Sequence, residues 1–403
     1  MQANGWWEAA LRSLRQAAAL ILFGMKSLPS RIAQSMVIVL GVAGVVAVLL
    51  AVLGISGSLQ RVVAGSGRPD RALVLRTGAK SESQSMLTRE EVAAIETAPG
   101  IRRNSDGKAS VAAEILTEYL VVDTARALRA EVVVRGVDPD AAHIRSEIHL
   151  IAGRFMRPGL HEVVVGKNAR ARYQDLDLDR RIVIAGAPWT IVGVFDSGGD
   201  AHGSEVFADA ETLMPAIHRN SFNSALVQLD SPDSFQSFEN FLTANPAVSV
   251  DAYREPAYYQ LQSETVLHAW SFVAYVVGGI MALGAMIGAA NTMYSSVAAR
   301  NAEIATLRAI GFRPGAVVAA VLTEALFLAI LGAVLGTAVV WLLFNGNAIS
   351  TKVGAGRVIT QLKLGPNLMM LGMIWAIGIS IVGGLFPALQ AARLPIVEAL
   401  RED

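Results

Sequence analysis

Four stretches of the chain carry almost no charge. Residues 32–60 and 265–299 contain no Lys, Arg, Asp or Glu, residues 364–392 contain none either, and residues 314–344 hold a single acid, Glu324. A helix needs about 20 apolar residues to cross about 30 Å of hydrocarbon, and each run is long enough. Four transmembrane helices are predicted, at 32–60, 265–297, 316–344 and 367–390. The first is too long for the apolar core of a signal peptide, which runs to about 7–15 residues, so it reads as an uncleaved anchor.

Between the first two helices, residues 61–264 alternate differently. Arg71–Arg76, Glu131–Val134, Glu162–Val165, Arg181–Ile184, Thr190–Phe195 and Ala225–Leu229 are β-branched or period-two runs and predict strands. Thr88 followed by Arg89-Glu90-Glu91 is a capping box and starts a helix that stops near Pro99-Gly100. Ser231-Pro232 starts a second, with Phe235, Phe238 and Leu242 on one face. Strand–helix–strand therefore occurs twice, at about 71–122 and 224–252. The predicted fold is an integral membrane bundle of four helices. A large extracytoplasmic α/β domain, a split βαβ platform with a β-rich insertion at 131–215, lies between the first and second.

Basic residues orient the bundle. Arg12, Arg15, Lys26, Arg31, Arg300, Arg308, Arg313, Arg393 and Arg401 flank one side, against Lys352, Arg357 and Lys363 in the short loop on the other. The richer side is expected to be cytoplasmic, with both termini inside and 61–264 outside. Residues 1–31 predict an amphipathic helix in the cytoplasmic interface, with Leu11, Leu14, Ala18, Ile21, Leu22 and Met25 on one face and Trp6 and Trp7 at headgroup level. An outer loop at 345–366 and a cytoplasmic tail at 391–403 complete the division.

Composition narrows the chemistry. The chain is 53% hydrophobic and only 17% charged, which excludes disorder and an ordinary soluble globule. Its 34 basic and 34 acidic residues leave no net charge and no electrostatic case for nucleic acid. With no cysteine there is no thiol nucleophile and no Cys-ligated metal. Gly166-Lys167 is followed by Asn168, so no phosphate-binding loop exists, and no G-x-S-x-G elbow occurs. His143, His149, His161, His202, His218 and His268 lack ligand spacing and read as surface histidines. Asp175, Asp177 and Asp179 read as solvated loop acids. No catalytic residue, metal site or cofactor site is expected.

Glu324 is the one acid inside a spanning stretch. One lone acid is not a proton relay, and the favoured reading is a carboxyl paired with a neighbour near the cytoplasmic interface, Asn291 or Arg308. Gly284-x-x-x-Gly288 and Gly332-x-x-x-Gly336 let helices approach closely, either within one bundle or at a dimer seam. The segment 298–315 predicts a short amphipathic helix joining two spans on the cytoplasmic side. Arg300, Glu303 and Arg308 mark its polar side, Ile304, Leu307 and Ile310 its apolar side, and Gly311 its end.

This segment, Arg300-x-x-Glu303-Ile304-Ala305-x-Leu307-Arg308-Ala309-Ile310-Gly311, resembles the cytoplasmic loop of FtsX-like, MacB-type ABC-transporter permeases. Glu324-Ala325-Leu326 with Gly332 and Gly336 resembles the same family, as does Phe386-Pro387-Ala388-Leu389 through Glu398-Ala399-Leu400-Arg401. Gly136-Val137-Asp138-Pro139, Gly153-Arg154, Val163-Val164-Val165-Gly166 and Ile191-Val192-Gly193-Val194 resemble its periplasmic core. The resemblance implies a MacB-like periplasmic core domain in a bacterial inner-membrane permease without catalytic activity of its own. It implies a dimer, of this chain with itself or with a paralogue. It also implies a P-loop ATPase that binds ATP and magnesium. Some members carry that ATPase ahead of the first span; about 30 residues precede it here, so a separate chain is expected. Arg300, Glu303, Ile304, Thr306, Leu307, Arg308 and Gly311 would then form the coupling helix that docks on the ATPase. Motion would pass to the outer domain by mechanotransmission, for export or extraction of a lipid, lipoprotein, peptide or drug. A periplasmic adaptor and an outer-membrane duct are further partners the family implies. The alternative reading is an FtsX-like signalling protein that regulates a cell-wall hydrolase without transport.

Overall fold

The computed structural model describes residues 32–122, 129–138, 141–344, 348–353, 356–362 and 364–393, together with Gln16 and Leu20. The interfacial helix expected at 1–31, apart from those two positions, and the tail beyond Arg393 lie outside the described residues.

The chain divides into two compact units. One holds the greater part of the long helices α1 (Ile32–Ala64), α7 (Glu255–Ala298), α9 (Pro314–Phe344) and α10 (Pro366–Arg393), which among the described residues are the four long and apolar enough to cross a membrane. Apolar side chains give no net drive to pack helices in lipid, so close backbone approach takes over. α1 is the most enclosed, with Val42, Val45, Val46, Leu49 and Leu50 buried. A Cβ at Gly336 would come within 2.5 Å of the Ala43 carbonyl oxygen, and one at Gly332 within 2.7 Å of that of Val39. These two glycines are what lets α9 lie against α1. Gly383 on α10 meets the backbone of Met286 on α7 in the same way, at 3.0 Å.

The other unit comprises residues 57–268 and 348–361 and is built on one sheet of ten strands. In chain order these are β1 (Arg71–Arg76), β2 (Val111–Val122), β3 (Arg129–Val137), β4 (His149–Gly153), β5 (Glu162–Gly166), β6 (Arg181–Ile184), β7 (Ala187–Asp196), β8 (Val206–Asp209), β9 (Ser224–Gln228) and β10 (Val250–Arg254). Spatially they run β10-β1-β9-β2-β3-β8-β5-β7-β4, with β6 paired to β7. β9 lies antiparallel between β1 and β2, and β1 lies antiparallel between β10 and β9. Each predicted strand–helix–strand unit is therefore split by a strand of the other. The first returns through α2 (Arg89–Ile95), which carries the full capping box between Thr88 and Glu91. The second returns through α6 (Phe235–Ala244), which buries Phe235, Phe238 and Leu242.

Period-two alternation sends side chains to opposite faces. Ala72 and Val74 of β1, with Ala225 and Val227 of β9, join the larger core that also receives α2, α6 and α5 (Ala210–Ala216). Leu73 and Leu75, with Leu226, Ala112 and Val137, join a second core on the other face. That face is covered by α3 (Ala141–Ile144) and by Tyr258 from the first turn of α7. α4 (Lys167–Arg172) follows β5 directly. Within the segment between α9 and α10, β11 (Ala348–Val353) and β12 (Gly356–Gln361) form a hairpin. Ile359 of β12 enters the larger core and donates its N–H to Ser204 Oγ at 2.9 Å.

Candidate functional site: the short helix between two spanning helices

α7 ends at Ala298, and after two intervening residues α8 (Asn301–Ala309) begins. Arg300, at φ −121° and ψ 14°, makes the corner. The other end closes as a Schellman motif: Phe312 N–H donates to Leu307 carbonyl and Gly311 N–H to Arg308 carbonyl, both at 3.1 Å. Gly311 supports this at φ +105°, a region that L side chains rarely adopt. Pro314 then occupies the first position of α9.

The face assignment differs in part from the sequence reading. Ile304 and Ala305 turn inward and are buried. Leu307 and Arg308 are half-buried. Glu303, Thr306 and Ile310 are exposed, and Ile310 keeps 73% of its surface. A nine-residue helix spans about two and a half turns, so the inward pair fixes the outward face as Ala302, Glu303, Thr306, Ala309 and Ile310. Thr306 turns its hydroxyl back to the Ala302 carbonyl, at 2.8 Å.

Arg300 Nε lies 3.3 Å from Glu303 Oε2, and Arg300 Nη1 lies 3.4 Å from Glu324 Oε2 on α9. The sequence reading named Asn291 or Arg308 as the neighbour of Glu324; the structure brings Arg300, which that reading did not name, to it as an ion pair. Arg300 sits at the corner before α8, where a helical register drawn through the whole segment cannot place it. A small cavity of about 40 Å³ opens beside this pair, lined by Leu20, Ile304, Leu307 and Val321 among others.

The two glycine motifs have separate fates. Gly332 and Gly336 are consumed in packing on α1, whereas among the described residues nothing lies within 4 Å of a Cβ built at Gly284 or Gly288.

Sequence reasoning missed a cluster of buried charge in the sheet unit. His202, read as a surface histidine, is buried, while the other five histidines are exposed. Its Nδ1 lies 2.9 Å from Glu205 Oε2, and its Nε2 lies 3.2 Å from Arg145 Nε. Arg71, Glu114 and Arg135 are also buried. A signal was present: Glu114 and Arg135 each interrupt an apolar run, in VAAEIL and VVVRGV, and Arg71 opens the strand RALVLR. Arg145, His202 and Glu205 come from irregular segments that carry no such pattern. Burial pushes the Glu205 carboxyl up, but Arg135 and His202 outweigh it and hold the group far below the ordinary carboxylate range. Glu114 is lowered in the same way by Arg145 and Arg135. Burial and Arg145 oppose a charge on His202, and Glu205 and Asp200 outweigh them to raise it. Among the described residues no group of three or more His, Asp or Glu is arranged to hold a metal ion.

Four membrane-length helices, a split βαβ outer unit and a short helix between the second and third spans define a membrane permease component. Residues 35–245 match the family described as MacB-like periplasmic core domain, and residues 275–396 match FtsX-like permease C-terminal. The chain belongs to the FtsX-like, MacB-type family of ABC-transporter permeases. It is 25% identical to the macrolide export ATP-binding/permease protein MacB of Vibrio parahaemolyticus, over 99% of this chain and 61% of that one. It is 24% identical to MacB of Hahella chejuensis, over 88% of this chain and 58% of that one. It thus spans about three fifths of the length of these relatives. It is 21% identical to the uncharacterized ABC transporter permease YknZ of Bacillus subtilis, over 91% of this chain and 93% of that one. The periplasmic region of MacB from Actinobacillus actinomycetemcomitans aligns with a TM-score of 0.37 and 13% identity, over 50% of this chain and 96% of that one.

Proposed function

We propose that this chain is the permease subunit of an ABC system in which a separate cytoplasmic ATPase hydrolyses ATP and this chain converts the cycle into movement of its outer domain. The observation that carries the reading is α8. It is a short helix capped at its C-terminal end, joined directly to two spanning helices, with Glu303, Thr306 and Ile310 exposed. An exposed isoleucine flanked by a threonine and an acid is a surface suited to a groove on a partner. ATP and magnesium would be held by that partner. A ligand that binds two states of the ATPase pair differently supplies the bias, and this chain supplies the lever. The orientation that fits places α8 and both termini in the cytoplasm of a bacterial inner membrane. A homodimer fits the open Gly284/Gly288 face. The cargo would be a lipid, lipoprotein, peptide or drug, handled on the periplasmic side with an adaptor and an outer-membrane duct.

The test is affinity purification of the chain from its native membrane, alone and as Glu303→Ala and Thr306→Ala. Recovery of a P-loop ATPase with the parent, and its loss or uncoupled ATP hydrolysis in the variants, supports the reading. Absence of any ATPase sinks it. Recovery of an ATPase together with a cell-wall hydrolase, and no adaptor, would replace transport by signalling.

A further inference from the structure

The buried charge in the sheet unit gathers around the first turn of α7. Glu255 is the first residue of that helix and is 1% exposed. Its Oε2 accepts the Arg68 N–H at 3.0 Å and lies 2.8 Å from Arg71 Nε, while its Oε1 lies 4.0 Å from Arg145 Nη2. Next along the helix, the Tyr258 hydroxyl accepts the Glu82 N–H at 3.0 Å, and the Tyr259 hydroxyl lies 3.1 Å from His202 Nε2. Gly67, at φ +82°, brings its backbone against Glu255, where a Cβ would sit 2.8 Å from the Glu255 Cγ.

From these anchors the contacts run across the sheet. Arg145 grips Glu114 of β2 with both terminal guanidinium nitrogens, Nη1 and Nη2. Glu114 Oε2 lies 2.6 Å from Arg135 Nη1 of β3. Arg135 also takes Glu82 at 2.7 Å and both oxygens of Glu205 at 2.8 and 3.0 Å. Glu205 meets His202, and His202 meets Arg145, so the circuit closes. Arg71 of β1 adds Glu147 at 2.7 Å and the Ile144 carbonyl. By strand parity Arg71, Glu114 and Arg135 share the face of Leu73, Ala112 and Val137, the same face that receives Tyr258.

Such a cluster is a poor way to make a core stable. Each buried ion carries a desolvation penalty of several kcal/mol, and well-packed apolar replacements are often as stable or more so. What such a network adds is direction: Arg145–Glu114 and Arg135–Glu205 each make two hydrogen bonds in parallel, and α7 joins them through hydrogen bonds at Glu255, Tyr258 and Tyr259, with Arg71 and Arg145 facing Glu255 as ion pairs. Apolar contact is non-directional, and a helix root held by it alone can turn without loss of buried area.

We propose that this ion network is a rivet: it holds the root of α7 in one orientation on β1, β2 and β3, so that a displacement of α7 carries those strands with it as one body. Glu255, Arg71, Arg145, Glu114 and Arg135 are positioning residues and touch no substrate. The use of the rivet in transport rests on the permease reading above; its mechanical property does not.

The full chain in nanodiscs tests it. With no native cysteine, Leu261→Cys on α7 and Val183→Cys on β6, both exposed, take spin labels selectively. Pulsed electron paramagnetic resonance then reads the distribution of their separation, well below the thermal midpoint. The parent should give one narrow distribution. Arg145→Met combined with Glu114→Leu should keep the midpoint and broaden the distribution about twofold, because the root samples further orientations. Glu255→Gln, which keeps side-chain volume, should broaden it as well and decides the matter where the double variant fails to fold. A merely structural role would lower the midpoint and leave the width unchanged. Parental width in both variants, or in Glu255→Gln alone where only it folds, overturns the proposal. Failure of any ATPase to co-purify removes the permease reading, and a narrow parental width that broadens in the variants then still leaves the rivet.

Discussion

Arg300 Nη1 stands 3.4 Å from Glu324 Oε2, which ties the corner before α8 to the third spanning helix. Arg300 also reaches Glu303 within α8. The guanidinium therefore bridges the short helix and α9, and a movement of α8 cannot leave α9 behind without separating charges that are largely shielded from water.

Removing the acid should loosen that bridge. Glu324→Ala leaves Arg300 with a weaker set of partners in a mostly buried position, at a cost of about 1–3 kcal/mol. Glu324→Gln keeps an oxygen acceptor and should cost less. Thermal unfolding of the full chain in nanodiscs ranks the two. Equal midpoints for parent and alanine variant would dismiss the bridge as an energetic contact.

The two glycine motifs should behave oppositely. Gly336→Leu places a side chain where the Ala43 carbonyl oxygen already stands and should destabilise the bundle by more than about 3 kcal/mol, the upper range for overpacking. At Gly284 no described residue lies within 4 Å of an added Cβ, and Gly284→Leu should leave folding intact. A change in oligomeric state with Gly284→Leu, read by native mass spectrometry, would place that motif at a seam between copies. Poor folding of Gly284→Leu would contradict the open position in the structure.

How much was legible in the sequence follows from these cases. The spans are composition, and long charge-free runs state them outright. The split βαβ platform was readable because Thr88 with Glu91, and Ser231-Pro232, announce helices between alternating strands. Which glycine pair packs inside was not readable, since a small-residue motif has no label for the helix it will meet. The pairing of Glu324 with Arg300 was hidden because Arg300 lies at a break in the helix, outside any regular register. The ion network was half visible. Charged residues at inward strand positions in β1, β2 and β3 were a warning, but their partners Arg145, His202, Glu205 and Glu255 arrive from two separate connecting segments and a helix start, which only the folded chain brings together.

The same network sets a pH optimum. Glu114 and Glu205 are held below their ordinary value of 4.5, so the stability they contribute is present above that value and is lost as pH falls below it toward their folded values. His202 is raised above 6.5, so its contribution is complete below pH 6.5 and is lost as pH rises through its folded value. The groups facing it are Glu205, Asp200, Arg145, Glu114 and Tyr259. In the neutral ring Nε2 accepts from Arg145 Nε, and in the charged ring it donates to the Tyr259 hydroxyl. The thermal midpoint of the full chain should peak between pH 4.5 and 6.5. His202→Asn should flatten the alkaline side. A parental midpoint that rises steadily above pH 6.5 would contradict this assignment.

The sharpest test of α8 compares two isoleucines six residues apart. Ile304 is 8% exposed and points into its own unit; Ile310 is 73% exposed at the end of the same helix. An aspartate at a buried apolar site costs several kcal/mol, so Ile304→Asp should lower the thermal midpoint of the isolated chain. Ile310→Asp places its charge in water and should leave that midpoint unchanged. It would, however, remove an apolar contact and add an unmatched acid at any docked surface, a loss of about 2 kcal/mol or more and so at least a thirtyfold weaker complex. Titration of the co-purified ATPase against each variant in nanodiscs separates the two effects. Loss of the complex with Ile310→Asp at an unchanged midpoint identifies the exposed end of α8 as the docking face. Full retention of the complex would move the proposed docking face elsewhere on this chain.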